Sequence, residues 1–159
     1  MKTHILMLAF LTTLFTFGAS AQKLDQKILA KADAFVYSSG NYTLAPEYQK
    51  TTRIIVQTDS VILKVTGDNR TMRNAFPITK ERFEQFKQEI ASCGIKKLKK
   101  ARENLATGGS SHFFGIYDVN DECIFGASGY FGGGQRGGTL DFKANPEALF
   151  RVILSECMK

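Results

Sequence analysis

The stretch HFFGIYDVNDECIFGASGYF, residues 112–131, decides the fold. His112–Val119 and Cys123–Phe131 are rich in aromatic and β-branched residues, and Asn120-Asp121 lies between them. That composition predicts a β-hairpin. Downstream, Thr139–Phe142 reads as a third strand after a glycine-rich connection. Asn145 can then cap a last helix, with Pro146 at its first position, where a missing N–H costs nothing. Leu149, Phe150, Ile153 and Cys157 line one face of that helix. Upstream, Phe83, Phe86 and Ile90 recur at helical spacing behind Thr79 as N-cap, with Glu81 in the first turn and Gly94 as the stop, so a helix is predicted over 80–93.

Before this helix, Arg53–Gln57 and Ser60–Thr66 form a second hairpin around Thr58-Asp59. Residues 67–78 are polar, contain Pro77 and read as a loop. Residues 41–51 are irregular and interrupted by Pro46. Leu24, Ile28, Ala32 and Phe35 fit an amphipathic helix over 23–37, stopped by Ser38-Ser39-Gly40. Residues 95–102 fit either a short basic helix or an edge strand, and a strand at 95–99 is preferred. Strands in runs with few crossover helices point to an α+β fold: an antiparallel sheet of five to six strands with two or three helices packed on one face.

The first segment stands apart. Lys2 precedes an apolar run from Ile5 to Phe17, and Ala19-Ser20-Ala21 supplies small residues at a cleavage position. The run is too short to span a bilayer, which takes roughly 20 apolar residues. Residues 1–21 are therefore expected to be a signal peptide cleaved after Ala21, leaving 22–159 as one α+β domain, secreted or periplasmic, with no membrane span. An uncleaved N-terminal anchor is the competing reading. Asn41-Tyr42-Thr43 and Asn69-Arg70-Thr71 match the glycosylation sequon, which matters only in a eukaryotic secretory pathway.

Globular composition, 43% hydrophobic and 23% charged, excludes a disordered chain and a membrane-embedded bundle. The formal charge of +6 leans weakly toward anionic partners. Cys93, Cys123 and Cys157 form no CxxC pair, which disfavours a redox dithiol or a zinc knuckle. An oxidising compartment permits one disulfide. If 95–99 pairs with 112–118, Cys93 and Cys123 meet at one end of the sheet, so a Cys93–Cys123 bridge is expected, with Cys157 a free, mostly buried thiol.

Gly126–Gly138 holds seven of the fourteen glycines and is the most unusual stretch. As a loop it would present Tyr130, Phe131, Gln135 and Arg136 to a partner, Arg136 suiting a carboxylate or phosphate. It lacks the Lys-Ser/Thr ending of a phosphate-binding loop, and a plain hairpin connection explains it as well. Lys96, Lys97, Lys99, Lys100 and Arg102 can neutralise an anionic polymer, although a solvated face is the usual fate of such a run. Without interleaved aromatics, nucleic acid is disfavoured. His112 is the only histidine beyond the leader, so a histidine-based metal site has little to draw on. A thiol nucleophile would need His112 beside Cys123 or Cys157, and no motif supplies both nucleophile and base.

The expectation is an exported, non-enzymatic binding module, with no cofactor or metal, acting on another secreted or envelope protein through the Gly/aromatic segment. A small hydrolase or thiol enzyme using His112 is the alternative. A third is a binder of anionic polymers through Lys96–Arg102.

Overall fold

A computed structural model of the chain describes residues 21–41, 48–68, 70–103, 109–132 and 135–159; residues 1–20 lie outside them, as does the side chain of Gln135. The elements are β1 (Gln22–Lys23), α1 (Gln26–Ala30), β2 (Ala34–Gly40), β3 (Thr51–Gln57), β4 (Ser60–Gly67) and β5 (Arg70–Pro77). They continue with α2 (Lys80–Ser92), β6 (Lys96–Arg102), β7 (Ser110–Tyr117), β8 (Cys123–Gly132), β9 (Gln135–Asp141) and α3 (Pro146–Cys157). All nine strands join one antiparallel sheet in the order β1-β6-β9-β8-β7-β2-β3-β4-β5. The architecture is mixed helix and strand, as expected, but the sheet is larger than five to six strands. Among the described residues no helix is long and apolar enough to cross a membrane.

Local signals explain the elements that the sequence foretells. Thr79 accepts from the Arg82 N–H and starts α2, and Asn145 accepts from the Glu147 N–H and starts α3, satisfying donors that a helix start leaves open. Phe83, Phe86 and Ile90 of α2 and Phe150 and Ile153 of α3 are fully buried. They share one cluster with alternate residues of the strands, among them Phe35, Tyr37, Ile54, Val56, Val61, Phe114, Ile116 and Leu140. Phe86 presents its edge to Phe150 at 5.1 Å and to Phe35 at 5.6 Å, a favoured aromatic geometry. The face of the sheet carrying these residues is its inner face.

Three expected elements are corrected. The helix over 23–37 is only α1; Asp25 caps it through the Ile28 N–H, and the chain then turns into β2. β2 lies mid-sheet, hydrogen-bonded to β3 and β7, and six of its seven residues are buried. The ladders on both sides outweigh the helical spacing of Leu24, Ile28, Ala32 and Phe35. Second, the loop over 67–78 is mostly β5, an edge strand exposed on both faces, so it never needed apolar alternation. Third, the glycine-rich stretch belongs largely to the ladder: Gly129 pairs with Gly138, Tyr130 with Gly137 and Phe131 with Arg136. Gly138 is needed here for its backbone, with φ +80°, and a Cβ would sit 2.5 Å from the Ser128 carbonyl oxygen.

The cysteine topology is corrected too. Residues 96–102 are a strand, but β6 pairs with β9 and β1, and β9 and β8 separate it from β7. The premise of the Cys93–Cys123 bridge therefore fails. All three thiols are free: Cys93 is buried at the C-terminal end of α2, Cys123 is exposed where β8 begins, and Cys157 is half-buried on α3.

Candidate functional site

Two constellations carry chemistry, one on each face of the sheet. On the inner face, β2 aims Tyr37, β7 aims Ser110 and His112, and the first turn of α3 supplies Glu147. The Tyr37 hydroxyl lies 2.8 Å from His112 Nδ1 and donates to Glu147 Oε2 at 3.4 Å. Ser110 Oγ lies 2.8 Å from His112 Nε2. Arg151, one turn along α3, donates to Glu147 Oε1 at 2.7 Å. With Tyr37 donating to Glu147, one proton arrangement gives every group a partner. His112 carries its proton on Nδ1 and donates to the Tyr37 oxygen, and Ser110 donates to Nε2.

His112 is 6% exposed, and Phe131 covers its ring at a centroid distance of 4.5 Å. Burial holds its pKa below the ordinary histidine range; Glu147 pulls the other way and Arg151 adds to the lowering. The imidazole is therefore neutral at pH 7, and its 3.9 Å approach to Glu147 is not an ion pair there. Burial, reinforced by the Glu147 charge, raises the Tyr37 hydroxyl far above the usual tyrosine range, so it stays protonated. The chain Ser110–His112–Tyr37–Glu147–Arg151 can therefore orient a proton, and it pins the start of α3 to the middle of the sheet. Of these residues only His112 was singled out from the sequence; Ser110, two residues before it, was not. Alternation on β7 puts both on one face, a signal that was present; Tyr37 and Glu147, distant in sequence, left none.

The structure joins His112 to these residues and not to a thiol. Cys93 Sγ donates to the Glu89 carbonyl and Cys123 Sγ to the Phe125 carbonyl, while Cys157 packs against the core. Burial raises the Cys93 and Cys157 thiols, which disfavours their reactive thiolate forms. Among the described residues no three of His, Cys, Asp and Glu come together as a metal-ligand set.

The residues expected to form one binding loop are divided between the faces. Phe131 and Arg136 are register partners on the inner side; Phe131 stacks on His112, and Arg136 lies 4.4 Å over the Phe142 ring while donating to its carbonyl. Tyr130 lies on the outer face, its ring against Gly109 and its hydroxyl buried with no hydrogen-bond partner among the described residues. The Gln135 side chain falls outside the described residues. The basic cluster Lys96–Arg102 occupies β6, next to the sheet edge, where Arg102 pairs with Asp141 at 3.2 Å. Charges there keep an edge from pairing with foreign strands.

The outer face carries a pattern that the sequence reading did not find. The register aligns Ser128, Phe113, Ser38, Arg53, Lys64 and Arg73 in one row from β8 to β5. Arg53, Lys64 and Arg73 are thus direct cross-strand neighbours, all exposed, with no ion pair among the described residues. Like charges placed opposite each other destabilise a sheet. No acidic residue occurs in β7, β2, β3, β4 or β5 to relieve them. The Arg53 charge reaches across to Tyr117, whose hydroxyl it acts to lower against a larger burial effect. Four strands separate Arg53, the nearest of the three cations, from the β6 cluster, so the two do not merge into one basic surface.

Compared with known proteins, the chain matches no family model, no curated protein and no solved structure.

Proposed function

We propose that the chain is an exported, non-enzymatic binding module acting on another secreted or envelope protein, and that it engages this partner with the outer face of its sheet. One observation carries the reading: the row Arg53–Lys64–Arg73, which has no ion-pair partner among the described residues. Three adjacent cations repel one another in the free protein, so an acidic partner gains both the attraction and the relief of that repulsion. Tyr130 lies on the same face, through the register Tyr130–Ser111–Gly40. The test is capture of partners from the native secretome by the wild type and by the triple variant Arg53→Ala, Lys64→Ala, Arg73→Ala. The variant should lose the partner while its unfolding free energy stays within about 0.5 kcal/mol, as for exposed substitutions. Equal capture by both proteins rejects this face.

A second reading, a small hydrolase, draws on the 2.8 Å contact between Ser110 Oγ and His112 Nε2 with a carboxylate behind it. The geometry favours Ser110 over a cysteine as nucleophile. A fluorophosphonate probe distinguishes the readings: stoichiometric labelling of Ser110 supports the enzyme, and its absence supports the binding module.

A further inference from the structure

β5 ends the sheet. Among the described residues its only strand neighbour is β4, and every residue but Phe76 is exposed. The Ile78 N–H donates to the Asp59 carbonyl at 3.0 Å, and this bond sets the alternation along the unbroken β4–β5 register. Arg70, Met72, Asn74 and Phe76 turn their backbone groups toward β4, whereas Thr71, Arg73, Ala75 and Pro77 turn theirs to the open edge. Two observations agree with this phase. Pro77, which has no N–H to offer, falls on the open side, where a ladder loses nothing. The Thr66 and Thr71 hydroxyls approach to 3.2 Å, as close cross-strand contact at a non-hydrogen-bonded pair allows.

The open edge therefore presents the amides of Thr71, Arg73 and Ala75, and Arg73 is also the last member of the cation row. We infer that β5 accepts an extended acidic segment of a partner protein as a tenth strand. Its backbone would pair with those amides, and a carboxylate would stand beside Arg73, continuing the row Arg53–Lys64–Arg73. This deepens, and rests on, the reading of the outer face as a protein-binding surface. Arg73 alone would serve to guard an edge. Lys64 and Arg53 lie one and two strands further in, where they guard no edge, and their charge adds at longer range to the pull on a carboxylate standing beside Arg73. A second copy of the chain fits poorly. Symmetric antiparallel pairing of two β5 edges centred on Arg73 sets the two Arg73 side chains opposite each other.

The test titrates the protein with a fluorescein-labelled octapeptide of alternating Glu and Val, read by anisotropy. A matched peptide is N-methylated at the backbone positions that face β5, and inorganic polyphosphate serves as a competitor. Saturable binding of the first peptide is expected, weakened about tenfold by N-methylation and several-fold by Arg73→Ala or Lys64→Ala, with slowed amide exchange at Thr71, Arg73 and Ala75. If N-methylation has no effect and polyphosphate competes as well as the peptide, strand addition is wrong while the cationic face still binds anions. If neither peptide nor polyphosphate binds, the proposed face fails with it.

Discussion

Replacing Tyr37 with phenylalanine removes one oxygen from the centre of the inner-face network and changes almost nothing in volume. The ring keeps its packing against Phe150 at 5.5 Å and His112 at 5.8 Å. What disappears is the 2.8 Å bond to His112 Nδ1, in a buried site. Neither tautomer rescues the ring, because Nδ1 is left with an unpaired proton or an unpaired lone pair. Orphaning a buried polar group costs about 1–3 kcal/mol. Glu147 loses only a 3.4 Å contact and keeps Arg151, so little is added there. The expected loss is about 2 kcal/mol, or a fall in melting temperature of roughly 6–8 °C for a domain of this size. Urea unfolding at pH 8, where His112 is neutral in both states, measures it directly. The double variant Tyr37→Phe, His112→Phe should lose less than the sum of the two single changes by about 1 kcal/mol, since it removes both partners. A loss below about 0.5 kcal/mol for Tyr37→Phe, or strict additivity in the double variant, refutes the assignment of this hydroxyl as the partner of His112.

Three further outcomes are expected. Because burial depresses the His112 pKa in the folded state, the unfolded chain takes up the proton first; the stability this group confers is complete above about pH 6.5 and declines as pH falls below it. Urea midpoints between pH 7.5 and 5 should therefore drop more steeply in the wild type than in His112→Phe. Gly138→Ala forces a left-handed backbone and a Cβ into the Ser128 carbonyl, so a loss of about 2–4 kcal/mol is expected in denaturant unfolding. Iodoacetamide should alkylate Cys123 in the native protein and Cys93 only after unfolding, as mass spectrometry of quenched samples will show.

Features governed by neighbours in sequence were legible. The caps at Thr79 and Asn145, the apolar stripes of α2 and α3, and the hairpins β3–β4 and β7–β8 all follow from residues a few positions apart. What escaped depends on distant partners or on their absence. β2 is a strand because β3 and β7 flank it, and its nearly continuous burial erases the alternation that would reveal it. β5 lies at the edge, so its sequence carries no burial pattern. Glycines of the 126–138 stretch read as looseness, yet Gly126 lies against the Phe113 ring and Gly129 beneath that of Phe131, as Gly115 on β7 lies beneath Phe113. Their missing side chains make room for aromatic rings on a regular ladder. The cation row is invisible to any linear window, since Arg53, Lys64 and Arg73 become neighbours only through strand register.

The sheet is made of two stretches of chain joined along one seam. β2 to β5 follow one another in sequence and in space; β6 to β9 fill the other half, with β1 added at its rim. Within the sheet, the ladder from Ala34–Tyr117 to Gly40–Ser111 joins the halves, and α3 of the second stretch packs across the first, with Glu147 against Tyr37 and Phe150 against Phe86. A chain that emerges N-terminus first completes the β2–β5 meander before β7 exists. In that interval the β2 edge, bearing Ala34, Phe35, Val36 and Tyr37, has nothing to pair with. Pairings between such distant segments form slowly, and an open apolar edge recruits other chains while it waits. Refolding yield should therefore fall as protein concentration rises, and closing the seam is the slow event on which a productive molecule depends.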